Sequence, residues 1–157
     1  MSTSLKDEQR PRFLADNMLG KLARWLRIMG YDTEYASEVC DSEIARRGIE
    51  EGRIILTRDR ELSMRRNVRS LLIHSIDIDE QLKEVKAHFE LDLREETRCT
   101  ICNGELRHVS PTEIRGLVPA GLESRQSDFH ICLRCSKIYW PGTHWQNIKR
   151  RIEELRR

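Results

Sequence analysis

Four cysteines stand in two Cys-x-x-Cys pairs, Cys99/Cys102 and Cys132/Cys135, and three aspartates, Asp16, Asp41 and Asp59, sit at the junctions of separate elements. Thiolates two residues apart reach one tetrahedral ion from a tight turn. Two such turns complete its ligands, so the cysteines point to Zn²⁺. Disulfides are the competing reading, but adjacent pairs of this form bridge poorly to one another, and nothing else in the chain indicates an oxidising compartment. A zinc ion closed by its thiolates serves folding and leaves no position for chemistry; Cys40 stands apart from it. The carboxylates point to an ion of another kind. Acids converging from separate elements repel each other unless a cation sits among them. Mg²⁺ or Mn²⁺ prefers such oxygen ligands and retains water, which suits attack on a phosphodiester. Any one of these aspartates taken singly reads as a cap or turn residue, so their joint placement carries the argument.

The elements that position them alternate. Arg12–Ala15 is a short apolar strand ending at Asp16, after which Met18, Leu19, Leu22, Trp25, Leu26 and Met29 recur at helical spacing until Gly30. Residues 31–35 read as a second strand, Asp41 opens a helix that stops at Gly52, and residues 53–57 form a buried strand running into Asp59. Ser70–His74 gives a fourth strand, and Ile78, Leu82, Val85 and Phe89 mark a longer amphipathic helix behind Asp77. The expected fold class is therefore α/β: a mostly parallel sheet flanked by helices, whose ligands gather beyond the carboxyl ends of the strands. Asp16, Asp59 and Asp77 fall at that edge, with Asp41 opening the helix after the second strand. Lys21, Arg24 and Arg27 recur at three-residue intervals and are read as one basic row beside the acids. With Arg58, which precedes Asp59, they are the candidate contacts to a phosphate backbone; solvated surface positions are the plain alternative.

From Arg98 the pattern becomes a cysteine-framed antiparallel ribbon with a loop between its knuckles, closed by a helix in which Trp145, Ile148, Ile152 and Leu155 share a face. That face is expected to dock on the ribbon or on the first unit. Trp140 and Trp145 are expected to serve as ribbon core, with stacking on bases as the second reading. The chain divides into a tail at 1–11, an α/β unit at 12–97, and ribbon plus helix at 98–157. Residues 98–157 carry 11 Lys/Arg against 6 Asp/Glu, and the rest carries 17 against 20. A basic appendage beside an acidic half suits a polyanionic partner. No run of apolar residues is long enough for a membrane span and the first residues hold no apolar signal core, so a soluble cytoplasmic protein is expected.

Phe13-Leu14-Ala15-Asp16, Leu19-Gly20-Lys21-Leu22-Ala23-Arg24-Trp25-Leu26-Arg27, Gly30-Tyr31-Asp32-Thr33, Leu56-Thr57-Arg58-Asp59-Arg60-Glu61-Leu62, the paired Cys-x-x-Cys motifs and Tyr139-Trp140-Pro141-Gly142-Thr143-His144-Trp145 together resemble the Mut-seven C-terminal (PIN-like) ribonuclease family. The resemblance covers nearly the whole chain. It implies a PIN-like nuclease unit followed by a zinc ribbon, with metal-dependent cleavage of RNA. It also matches Asp16, Asp59 and Asp41 to acids of the metal site, with Glu43 or Asp77 as a fourth. Two rivals stand beside it. A receiver domain would need paired acids after the first strand and a lysine after the last, whereas Lys83 lies inside a helix. A non-catalytic RNA-binding module within an RNA-processing or translation assembly would keep the ribbon and lose the metal-dependent cleavage.

Overall fold

A computed structural model of the chain describes residues 10–92 and 97–157. The expected tail lies, through residue 9, outside the described residues. Phe13–Asp16 (β1) leads through a single 3-10 turn into Gly20–Ile28 (α1), followed by Thr33–Ala36 (β2), Asp41–Glu50 (α2), Ile54–Thr57 (β3), Arg60–Ser63 (α3), Ser70–Leu72 (β4) and Ile78–Phe89 (α4). The strands form one parallel sheet in the order β2-β1-β3-β4. Both central strands, β1 and β3, are buried along their whole length, as expected of strands covered on two faces.

Successive residues of a strand point to opposite faces, and the core divides accordingly. Phe13, Ala15, Ile54 and Leu56 face α1 and α4. Leu14 and Ile55 face the other way, toward Ile44, Ala45 and Leu62 of α2 and α3. Helix α2 lies so close over β3 that a Cβ on Gly48 would stand 2.7 Å from Ile55 Cδ1.

The second sheet is antiparallel, Leu106–Val109 (β5), Phe129–Cys132 (β6) and Ile138–Tyr139 (β7) in the order β5-β6-β7, with the short helix Leu122–Arg125 (α5) inside the loop between knuckles. Val109, Ile114 and Phe129 form its core. The two tryptophans therefore do not fill the ribbon as expected: Trp140 touches Phe129 with ring centroids 6.2 Å apart and is 37% exposed. The last helix, Thr143–Arg156 (α6), leaves the ribbon and buries Ile152 and Leu155 in the first core. Lys86 donates to the Leu155 carbonyl, and Arg151 pairs with Asp79 at 2.9 Å. The open choice of docking surface is thus settled in favour of α4.

The ribbon is tied to the outer edge of β2, where an unpaired strand would otherwise expose its backbone. The Thr33 amide donates to Asn103 Oδ1 at 2.9 Å, and the Thr33 carbonyl accepts from Arg27 Nε at 2.8 Å. Asn103 Nδ2 donates to Asp32 and Glu34, at 2.7 and 3.2 Å. Arg27 also donates to the Thr100 carbonyl at 2.9 Å and is 7% exposed. Arg27 therefore leaves the basic row proposed from sequence. Positions three apart on a helix precess by about 60° per step, so Arg27 stands about 120° round from Lys21 and points at the ribbon.

Candidate active site and metal centre

Asp16 ends β1 and turns its carboxylate back on the chain, with Oδ1 accepting from the Asn17 amide at 2.6 Å. Its Oδ2 accepts from the Thr57 hydroxyl at 2.8 Å, across the sheet from the end of β3. That same hydroxyl accepts from the Asp59 amide at 2.9 Å. Asp59 caps α3, where its Oδ1 takes the Glu61 and Leu62 amides at 2.8 and 3.3 Å, a geometry that fixes the carboxylate at the helix start. One fully buried hydroxyl thus links the two acids. Thr57 was missed in the sequence, although a single polar residue at the end of Ile54-Ile55-Leu56-Thr57 was the available signal.

Asp41 opens α2 beside them. Its carboxyl is held above the usual aspartate range, first by burial, then by the charges of Asp59 and Asp16 and a hydrogen bond to Asp59, with Arg65 opposing. Three acids from three elements are therefore electrostatic neighbours at the carboxyl edge of the parallel sheet. Repulsion of this kind is what a cation relieves, and carboxylate oxygens are the hard ligands that Mg²⁺ or Mn²⁺ takes; among the described residues, only the four cysteines bring three or more ligand atoms within 4.8 Å of one another.

The other candidates sit differently. Glu43 is paired with Arg46, whose hydrogen bond holds the carboxyl below its ordinary range. Asp77 caps α4 through the Asp79 and Glu80 amides, at 2.9 and 3.2 Å, and lines a small cavity with Met18, Lys21 and Ile76. Lys21 and Arg24 stay on the exposed face of α1, and Arg58 is half-buried beside Asp59.

The cysteines meet in one cluster, all four Sγ atoms lying within 4.8 Å of one another. Cys99 and Cys135 are 3.6 Å apart, and Cys102 and Cys132 3.4 Å. A tetrahedron with metal–sulfur bonds of about 2.3 Å has edges near 3.8 Å, so the set fits one ion such as Zn²⁺. These separations exceed an S–S bond of about 2.05 Å, and the thiols are free.

The two knuckles turn alike, each with a left-handed residue after its second cysteine, Asn103 at φ 69° and Ser136 at φ 66°. Gly104 is required by close approach: a Cβ there would stand 2.7 Å from Cys132 Sγ. Burial pushes the Cys99, Cys102 and Cys132 thiols up, and for Cys102 it prevails, to about 12. For Cys99 hydrogen bonds outweigh burial, the Tyr139 hydroxyl first, and hold it at about 6. Thiols this close cannot all ionise without a cation among them. The Tyr139 hydroxyl, 3.0 Å from Cys99 Sγ, is a supporting contact that sequence reading did not find.

Among the described residues, no helix is long and apolar enough to cross a membrane. Residues 11–152, nearly the whole chain, match the family model described as Mut7-C RNAse domain. No curated protein and no solved structure matches it.

Proposed function

The chain belongs to the Mut7-C RNAse domain family, and on that premise we propose that it is a metal-dependent ribonuclease whose hydrolytic centre is Asp16, Asp41 and Asp59. The observation that carries this reading is the meeting of Asp16 and Asp59 on the buried Thr57 hydroxyl at the carboxyl ends of β1 and β3, with the Asp41 carboxyl beside them held up first by burial and then by the charges of Asp59 and Asp16. Mg²⁺ or Mn²⁺ bound there would activate water and stabilise the charge that develops on the scissile phosphate. The residues of the chain do the rest. Thr57 fixes the Asp16 carboxylate, the cap of α3 fixes Asp59, and Lys21, Arg24 and Arg58 hold the phosphates that flank the cut. We assign hydrolysis to residues 12–97 and RNA binding to residues 98–157, where Zn²⁺ on the four cysteines holds the ribbon's shape.

The deciding experiment incubates purified protein with labelled RNA and added Mn²⁺ or Mg²⁺. Cleavage is expected in the parent and absent in Asp16→Asn and Asp59→Asn, with circular dichroism unchanged. Binding without cleavage across several divalent metals would instead favour a non-catalytic module.

A further inference from the structure

A wide cleft of about 1040 Å³ lies away from the acids, between the ribbon, α6 and the amino-terminal end of the parallel sheet. Arg12 and Asp32, which precede β1 and β2, line it together with Lys137 of the ribbon, Trp140, and Trp145 of α6. Asp16 and Asp59 stand at the other ends of the strands, roughly 13 Å away along four residues of extended chain. Helix α1 connects the two edges: Lys21 lines the small cavity beside Asp77, and Arg24, one turn on, lines the cleft.

The cleft has the chemistry of a polyanion site that also offers aromatic surface. Six Lys/Arg line it against three Asp/Glu. Two of those acids already have partners: Asp32 pairs with Arg53 at 2.7 Å, and Asp128 lies within 3.7 Å of His108 and 3.6 Å of His130. Arg24 and Lys137 are exposed, and they line the cleft from different elements, α1 and the ribbon. Trp140, largely spared from the ribbon core at 37% exposed, lines the same cleft.

We propose that this cleft binds single-stranded RNA, with a base stacked on Trp140 and backbone phosphates held by Arg24 and Lys137. The inference rests on RNA being the substrate of the acidic site and names the form in which it is gripped. Stacking on an indole needs a base free of its own stack, which a duplex does not offer. An RNA held in the cleft would run along α1 toward Lys21 and the acids, so the two sites together select a substrate with an unpaired extension.

The test measures binding of fluorescein-labelled oligouridylate, and of a duplex of equal length, without added divalent metal and with the zinc content of each variant verified. Arg24→Glu and Lys137→Glu should each raise the Kd for the single strand about tenfold or more. The double change should lower the slope of log Kd against log salt by about 1.4, the loss of two single-strand phosphate contacts. Trp140→Leu should weaken binding by about fivefold or more, as loss of one stacked base requires, and should abolish quenching of tryptophan fluorescence. Cleavage of a dinucleotide, too short to reach the cleft, should be unaffected by Lys137→Glu and by Trp140→Leu.

Unchanged affinity in the charge reversals, or a duplex bound as tightly as the single strand, overturns the proposal. A parent that cleaves nothing while its variants lose oligouridylate overturns the nuclease reading and leaves the cleft standing. A parent that cleaves RNA while every variant binds normally does the reverse.

Discussion

The Thr57 hydroxyl donates to Asp16 Oδ2 at 2.8 Å and is fully buried in doing so. Because it also accepts the Asp59 amide, it sets the spacing of the ends of β1 and β3. Thr57→Val keeps the shape and the strand preference but strands both partners. Leaving a buried acceptor and donor unpaired costs about 1–3 kcal/mol each, and losing a hydrogen bond to a ligating carboxylate costs ~10–100-fold in metal affinity or activity. Urea unfolding and Mn²⁺-dependent cleavage should both fall, and Thr57→Ser should restore most of each. A valine variant as active as the parent would remove Thr57 from the site.

Asp41 should trade stability for function. A carboxyl raised above its unfolded value holds its proton more tightly when folded, so its ionisation weakens the fold as pH rises past the ordinary aspartate range of about 4. Asp41→Asn removes that repulsion. Without divalent metal at neutral pH, the variant should be more stable, by about 1 kcal/mol or less because the group is only part-buried. Added Mn²⁺ should raise the melting temperature of the parent more than that of the variant, and the variant should lose cleavage. Equal responses to Mn²⁺ would place the ion elsewhere.

Asn103 has a backbone role in the knuckle and a side-chain role at the edge of β2, and two substitutions separate them. Asn103→Gly keeps the left-handed turn at φ 69° but leaves the buried Thr33 amide without its acceptor. It should cost about 1–3 kcal/mol with zinc binding retained. Asn103→Ala should lose that and strain the turn as well, lowering zinc affinity. Metal titration beside thermal unfolding distinguishes the two, and a glycine variant of parental stability would dismiss the docking role.

How much of this was legible in the sequence depends on how local its cause was. The apolar run Ile54–Leu56 and the cysteine spacing are local signals, and each gave its element and its cluster. Asp16 and Asp59 were visible because a strand must stop somewhere, and an acid at its end is noticed. Thr57 shows in the sequence only as a lone polar residue closing its strand, because its meaning comes from a neighbour 41 residues away. Arg27 misled because a three-residue interval looks like a row over one turn and departs from it over two. Trp140 and Trp145 read as core by composition, yet Phe129, Val109 and Ile114 had already filled the ribbon. Asn103 carries no signal of its docking role, because nothing in the chain order places Thr33 beside it.

Glu84 gives the clearest dependence of stability on acid. Burial pushes its carboxyl up, but hydrogen bonds from Ser75 and His74 outweigh burial and bring it down to about 2 from an ordinary value of 4.5. Oε1 accepts the Ser75 amide at 2.8 Å and Oε2 the His74 amide at 3.0 Å, clamping the segment after β4 to α4. A depressed folded pKa means that the stabilisation is fully present above about 4.5 and fades as pH falls toward about 2. Glu84→Gln, which cannot ionise, should therefore lower the urea midpoint at pH 7, and its deficit against the parent should shrink progressively below pH 4.5. The segment it holds ends at Asp77, so a loosened clamp should also raise hydrogen exchange at the Asp79 and Glu80 amides that Asp77 caps. A deficit that stays constant from neutral to acid pH would show that the glutamate acts through packing alone.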